Sequence, residues 1–413
     1  MKIAIIGGGF TGLSAAYELT KRGHQVTLFE KEKTLGGLAY GFREPNWDWY
    51  LEGGYHHWFT NDYAMLHLIK ELGLSSKLII KRPITANYVP PEASAKGGVY
   101  QLDSPIHLLN FPFLNPIDKL RTGALLAFLK LNPFWKPMES VTAKDFFIRW
   151  GGSASWRILW EPLMVGKFGD YADTVAASWF WARIKKRTPR LAYMEGGFHT
   201  VVDALEKAIK KNNGKIITGK TLTSIPPGYD RVLLTVPTPV AAKLLQPTTY
   251  NLQPIPHLHA QTLILETKEP ILKDVYWLSV TDRSFPFLAV VAHTNFMDKK
   301  HYGGNHITYF GNYLPQGHPY LSMSKEQLLK KFLQFIKRLS PSFSDLSLIT
   351  YHLSLGFAAQ PVHQLHYSQI APKLETSIKG VYLANLDSIY PWDRGTNYAV
   401  ELGIKAAKKI AQS

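Results

Sequence analysis

The sequence predicts an α/β fold in which a parallel-sheet domain is assembled from both ends of the chain around inserted α+β segments. Three observations predict it. The N-terminus runs strand, glycine-rich turn, helix, strand, acid: Lys2-Ile3-Ala4-Ile5-Ile6, then Gly7-Gly8-Gly9-Phe10-Thr11-Gly12, a helical stretch to Arg22-Gly23, and Val26-Thr27-Leu28-Phe29 ending at Glu30. The C-terminus runs strand, turn, helix: 379–385 reads as a strand and turn, and from Thr396 on Ala399, Val400, Gly403, Ala406, Ala407 and Ile410 recur at helical spacing. Between the two ends, 258–266, 275–280, 287–291 and 306–313 read as strands of an antiparallel sheet, followed by a helix over 325–339.

Each part of the N-terminal unit has a physical task. Gly7 permits a tight turn out of the strand, Gly9 lets backbone approach a pyrophosphate, and Gly12 lets the helix pack close to the strand. The helix start at Thr11–Leu13, directly after Phe10, offers free N–H groups and the positive end of the macrodipole to phosphates. Glu30 stands 23 positions after Gly7, near the spacing of the carboxylate that binds ribose hydroxyls. The strand before, the helix after and the acid beyond are the context that turns a glycine pattern into a dinucleotide site. After Glu30 and Lys31, a second pair, Gly36-Gly37-Leu38, follows the acid at six and seven positions. That arrangement resembles the extended motif of FAD-binding oxidoreductases, so the domain is expected to be Rossmann-type and the cofactor FAD. Thr396 is a plausible N-cap, and a helix starting there can aim its positive end at the flavin N1–C2=O edge.

These segments, with Glu195-Gly196-Gly197-Phe198 and Arg394-Gly395-Thr396-Asn397-Tyr398-Ala399-Val400, resemble the flavin-containing amine oxidase superfamily, most nearly its protoporphyrinogen-oxidase-like and phytoene-desaturase-like NAD(P)/FAD-dependent oxidoreductases. The resemblance spans nearly the whole chain and is specific for cofactor, not substrate. It implies that residues 1–75, 190–245 and 365–413 form a discontinuous FAD-binding domain. Residues 76–189 are then a largely helical insertion, and 246–364 a substrate domain with an antiparallel sheet. It also implies that Gly54 and Tyr55 lie by the flavin, with His56 or His57 as candidate groups at the reacting end. Arg394, Asn397 and Tyr398 fall near the pyrimidine end, Trp392 and Tyr390 form a wall, and Leu222 and Val236 contact the adenine side. The β-hairpin common in that last region is shortened here to 224–229, a departure from the family pattern.

In chain order, a helix is expected over 61–72, capped by Asn61 or Asp62 and closed by Gly73. Residues 83–98, with Pro90-Pro91, read as irregular, and 100–102 as a short strand. A helix over 116–131 is apolar on most of its surface and flanked by Phe111, Phe113, Phe134 and Trp135. Three readings of 105–137 stand: a tunnel-lining helix, a peripheral membrane patch with Lys and Arg at headgroup level, or an internal helix. Residues 142–187 read as helical, 201–211 as an amphipathic helix, 215–217 and 221–222 as strands, and 231–237 as a further sheet strand.

Composition bounds the rest. The 413 residues are 46% hydrophobic and 19% charged, an ordinary globular balance. The absence of cysteine excludes disulfides, thiolate metal sites and a cysteinyl-linked flavin, so FAD is expected to be non-covalent. No metal-ligand spacing is evident. Net charge of +16 favours anionic substrates or anionic lipid over neutral partners, and no nucleic-acid motif accompanies it. Met1-Lys2 leads directly into the first strand, so a cytoplasmic protein is expected, with or without peripheral membrane contact. The expected partner is a small molecule, apolar or anionic. The expected activity is oxidation of an organic substrate at a C–H or C–N bond by hydride transfer to flavin N5. The alternatives are a redox-neutral enzyme like UDP-galactopyranose mutase, against which the sequence shows no obvious Arg–Tyr cluster, and a non-catalytic binding protein on the same scaffold.

Overall fold

The structure is a computed structural model that describes residues 1–90, 98–245 and 252–412. Its centre is a five-stranded, all-parallel sheet in the order Lys215–Ile217, Gln25–Phe29, Lys2–Ile6, Arg231–Leu234, Val381–Leu383. The sequence explains why these strands are buried on both faces. In the first strand Ile3 and Ile5 join the large core beneath the helix Phe10–Lys21, while Ala4 and Ile6 point to a second apolar layer with Val232, Leu234 and Leu244. Parallel sheets need both faces covered, and strands without polar alternation supply them.

Helix Phe10–Lys21 is clamped between the sheet and the C-terminal helix Thr396–Gln412. Gly403 makes that contact possible: a Cβ there would lie 2.4 Å from the Thr11 carbonyl oxygen. The two chain ends, expected to share one domain, therefore meet backbone against backbone.

The second sheet has seven strands in the order Leu348–Pro361, His257–Thr267, His306–Leu314, Ala289–Ala292, Val275–Val280, Ile84–Val89, Gly98–Gln101. It is antiparallel as expected, except that Val275–Val280 and Ile84–Val89 run parallel. The expectation of irregular chain over 83–98 is corrected for Ile84–Val89, since Pro83 and Pro90 bound that strand without interrupting it; residues 91–97 lie outside the described residues. The chain from Ser354 to Pro361 is the end of a 14-residue strand. Residues 221–222 are not a strand. Gly219 and Lys220 donate to the carbonyls of Glu32 and Glu30 (2.8 Å each), which ties the chain to the loop beyond the second strand and takes it off the sheet.

Between the sheets, residues 142–187 are helical in pieces, with a wide π turn over Trp156–Trp160. Helix Pro116–Leu131 is only partly enclosed. It buries Thr122, Leu125 and Leu129 and turns its opposite face outward. Among the described residues no helix is long and apolar enough to cross a membrane.

Candidate functional site

The two glycine motifs are one object in three dimensions. Gly36 N–H donates to the Gly8 carbonyl (2.9 Å), Gly9 and Gly36 are paired as a parallel bridge, and a Cβ on Gly37 would lie 3.0 Å from Gly9 Cα. Gly7 (φ +117°) turns the chain out of the strand. A Cβ on Gly12 would lie 2.0 Å from the Gly7 carbonyl oxygen, so the helix can start this close to the strand only with glycine there. Gly9 differs. Its φ is −76° and a Cβ would meet nothing nearer than Gly37 Cα at 3.8 Å, so its bare side faces open space above the helix N-terminus at Phe10 and Thr11. That open cradle beside unpaired helix N–H groups fits a diphosphate. Glu30 closes its rim. Its Oε2 accepts from Gly8 N–H (2.6 Å) and its Oε1 from Glu32 N–H (2.9 Å), and each oxygen keeps a lone pair for a hydroxyl donor.

The other candidates divide into those the fold gathers and those it uses elsewhere. Lys31 is on the surface in an ion pair with Glu32. Leu38 lies against Gly356 of the long strand. Leu222 and Val236 join the second apolar layer with Ile6 and Phe29, at the carboxyl ends of the parallel strands. Asn397 is committed to the scaffold, its Oδ1 accepting from Met65 N–H (3.1 Å). Thr396 is the first helical residue and not a cap; its hydroxyl accepts from the Trp58 indole (2.7 Å), which pins the 50–58 loop to the helix start. Tyr390 donates to the buried Glu139 (2.9 Å). Trp392 is stacked on Tyr398 (5.4 Å, 9°) and on Trp181 (5.2 Å, 24°).

Gly54, Tyr55, His56, His57 and Arg394 come together over the large sheet. A Cβ on Gly54 would meet nothing nearer than 3.9 Å, and Tyr55 lies against Gly311 and edge-on to Trp277. The two histidines are half-buried in accessible area yet enclosed by protein, so they line an internal cleft. Burial lowers His56 to about 4 and His57 to about 3. Both are therefore neutral near pH 7, and His56 donates from Nδ1 to the Gly54 carbonyl (2.6 Å), leaving Nε2 as an acceptor.

The same cleft holds residues that the sequence reading missed. Lys167, Arg183 and Arg187 join Arg394 there. Lys167 Nζ and the Arg394 guanidinium sit 4.7 and 4.6 Å from the Tyr313 ring centre, and Arg394 donates to the Ala359 carbonyl (3.2 Å). Their acidic partner is Asp393, 3.6 Å from Lys167 and accepting from Trp179 (2.7 Å) and Gln360 (3.0 Å). Burial opposes ionisation of Asp393, but Lys167 and Arg183 outweigh it and hold the carboxyl below its usual range. Burial drives Lys167 far down, and lowers Arg187 to about 9 and Arg394 to about 10. The expectation of no Arg–Tyr cluster is thus corrected. Arg183, Arg187, Arg394, Tyr55 and Tyr313 come from segments distant in sequence, which is why no local pattern announced them. The one available signal was Arg183 and Arg187 at helical i, i+4 spacing beside the basic run 185–190.

The profile of the family described as "flavin containing amine oxidoreductase" matches residues 10–411. The chain belongs to that family. Among curated relatives, zeta-carotene desaturase of Arabidopsis thaliana is 28% identical over 187 residues, 40% of this chain and 32% of that protein. Protoporphyrinogen oxidase of Nicotiana tabacum is 26% identical over 224 residues, 52% of this chain and 40% of that protein. The matched stretch thus spans about a third of the first of these relatives. A solved structure of reduced UDP-galactopyranose mutase superposes with a TM-score of 0.75 at 15% identity, covering 100% of this chain and 95% of that one, which is a likeness of fold.

In this member of the flavin family the loop that carries Gly54 to His57 is anchored by a buried acid. Glu52 accepts from Phe198 N–H and the Tyr193 hydroxyl (2.7 Å each). Burial raises Glu52 to about 7 from its ordinary 4.5, against those two donors. Between these values the folded chain holds a proton that the unfolded chain has lost, so stability falls as pH rises through that window, by about 3 kcal/mol. Thermal melts from pH 5 to 8 should show this decline in the native protein and a flatter profile for Glu52→Gln. Equal slopes would remove Glu52 as its source.

Proposed function

We propose that this protein is an FAD-dependent oxidoreductase, its FAD held without a covalent link, that oxidises a C–H or C–N bond of an anionic organic substrate, the hydride coming from the carbon's own C–H. The observation that carries the reading is the charge of the cleft: Arg183, Arg187 and Arg394 are buried there, and the carboxylate beside Arg183 and Lys167 is Asp393. Buried cations in such excess call for an anion, and the bidentate geometry of arginine suits carboxylate or phosphate. Bound FAD supplies the two-electron acceptor. The protein's part is orientation and exclusion of water. The arginines orient the anionic group, and the Trp392–Tyr398 stack and Tyr55 supply flat apolar walls. His56 and His57, neutral, avoid adding charge beside the reacting carbon.

Anaerobic mixing with paired substrates tests the reading. Carboxylate- or phosphate-bearing compounds should bleach the flavin, and their esters or amides should not. Protein that takes up no flavin when FAD is added would defeat it, as would equal bleaching by neutral counterparts. The Arg–Tyr cluster also favours a second reading, a redox-neutral enzyme acting on a nucleotide sugar diphosphate. Titrating the reduced protein with UDP separates the two, since an unchanged flavin fluorescence eliminates the second.

A further inference from the structure

Helix Pro116–Leu131 carries two apolar faces. One, through Leu125 and Leu129, is buried in the core. The other is bare: Ile117 is 70% exposed, Leu120 74% and Leu131 77%, with Phe128 also exposed between them and Phe134 just beyond the helix end. Positions 117, 120, 124, 127, 128 and 131 recur at helical spacing, so the bare residues form one stripe along the helix. The short helix Pro105–Leu109 lies beside it, because Lys119 donates to the Leu109 carbonyl (2.6 Å), and it adds exposed Ile106 and Leu109. Arg121 donates to the carbonyls of Arg149 and Trp150, which sets the exposed Trp150 on the same side. A contiguous apolar surface of this kind marks an interaction site.

The charges around the stripe say what covers it. Residues 105–136 contain four Lys or Arg and one acid, Asp118. Lys119, Arg121 and Lys130 are steadied by backbone carbonyls at the border of the stripe. In a symmetric pair of chains these cations would face their own copies across an apolar seam. Against an anionic bilayer they meet lipid headgroups, while the leucines and phenylalanines enter the acyl boundary.

We propose that residues 105–134 are a monotopic docking face for an anionic lipid surface. The stripe ends at the cleft wall: Trp181 donates to the Asn132 carbonyl (2.8 Å) and Trp135 packs edge-on to Tyr390 (5.1 Å). Docking therefore brings the bilayer to the side of the molecule that carries the Trp181–Trp392 stack.

Flotation of the FAD-loaded protein with vesicles tests this. The native protein should float with vesicles containing phosphatidylglycerol and more weakly with pure phosphatidylcholine. Leu120→Glu with Leu131→Glu, both on the solvent side, should lose flotation with either vesicle and keep the native flavin spectrum and melting temperature. Lys136, exposed just beyond Phe134, and Arg149, whose guanidinium lies 5.3 Å from the centre of the exposed Trp150 ring, add to the charge of this face, so Lys136→Gln with Arg149→Gln should weaken the preference for phosphatidylglycerol and leave binding to phosphatidylcholine unchanged. Native protein that stays at the bottom with both vesicles overturns the proposal. So does a concentration-dependent dimer that the double Leu→Glu variant dissociates, since a second copy would then cover the stripe.

Discussion

Gly12→Ala is expected to yield protein that melts far lower and binds no flavin. The added carbon would sit 2.0 Å from the Gly7 carbonyl oxygen and 3.0 Å from the Thr235 hydroxyl. The obstruction is backbone at the junction of the first strand and its helix, so no side-chain rotation relieves it. Forced overpacking of this kind costs about 1–3 kcal/mol or more, and the displaced helix start is the one that offers its N–H groups to the diphosphate. Gly9→Ala should fail differently. At φ −76° with open space before it, the methyl strains nothing, so the apo-protein should melt within about 0.5 kcal/mol of the native one. The methyl instead occupies the cradle, and FAD affinity should drop sharply. Melting of the apo-proteins and the ratio of visible to ultraviolet absorbance after FAD addition separate the two effects. A Gly9→Ala protein that binds FAD like the native one would place the diphosphate elsewhere.

The second large effect is expected at Asp393. Asp393→Asn leaves Lys167 and Arg183 enclosed without their counter-charge, and breaking a buried pair by removing one partner costs about 3–5 kcal/mol. The loss depends on pH with a definite sign. Without Asp393, burial lowers Lys167 further below its unfolded value. The folded chain then sheds that proton at a pH where the unfolded chain still holds it, and stability rises with pH across that interval. The deficit of the variant against the native protein should therefore be greatest in mild acid and shrink toward pH 9. Lys167→Met in the same chain should recover part of the stability, because the lysine no longer has to be accommodated. Denaturant melts of the native protein, the single variant and the double variant at three pH values check this. A deficit that does not change with pH would mean that Asp393 matters through its bonds to Trp179 and Gln360 and not through Lys167.

The fold was largely legible because its signals are local. The alternation of Val275–Val280 and the uninterrupted apolar run of Lys2–Ile6 each state their own burial. The misses come from partners far away in sequence. Ile84–Val89 is a strand because Val275–Val280 lies beside it, and 221–222 is not one because Glu30 and Glu32 capture the preceding residues. The resemblance placed Asn397 near the pyrimidine end, but only its bond to Met65 reveals that it holds two helices together.

The cofactor end of the site shows the same division. By itself the sequence determined the glycine cradle, the acid at its rim and the return of the C-terminal helix, because a turn, a spacing and a helical period are properties of neighbouring residues. The tertiary structure alone decided what faces the cleft. It made Gly36 the backbone partner of Gly8 and Gly9, and it brought Lys167 and Arg183 to Asp393 with Arg187 and Arg394 close to Arg183. It also left one face of Pro116–Leu131 bare. Net charge can be counted along a chain, but the field at a point depends on distance and burial, and only folding sets those.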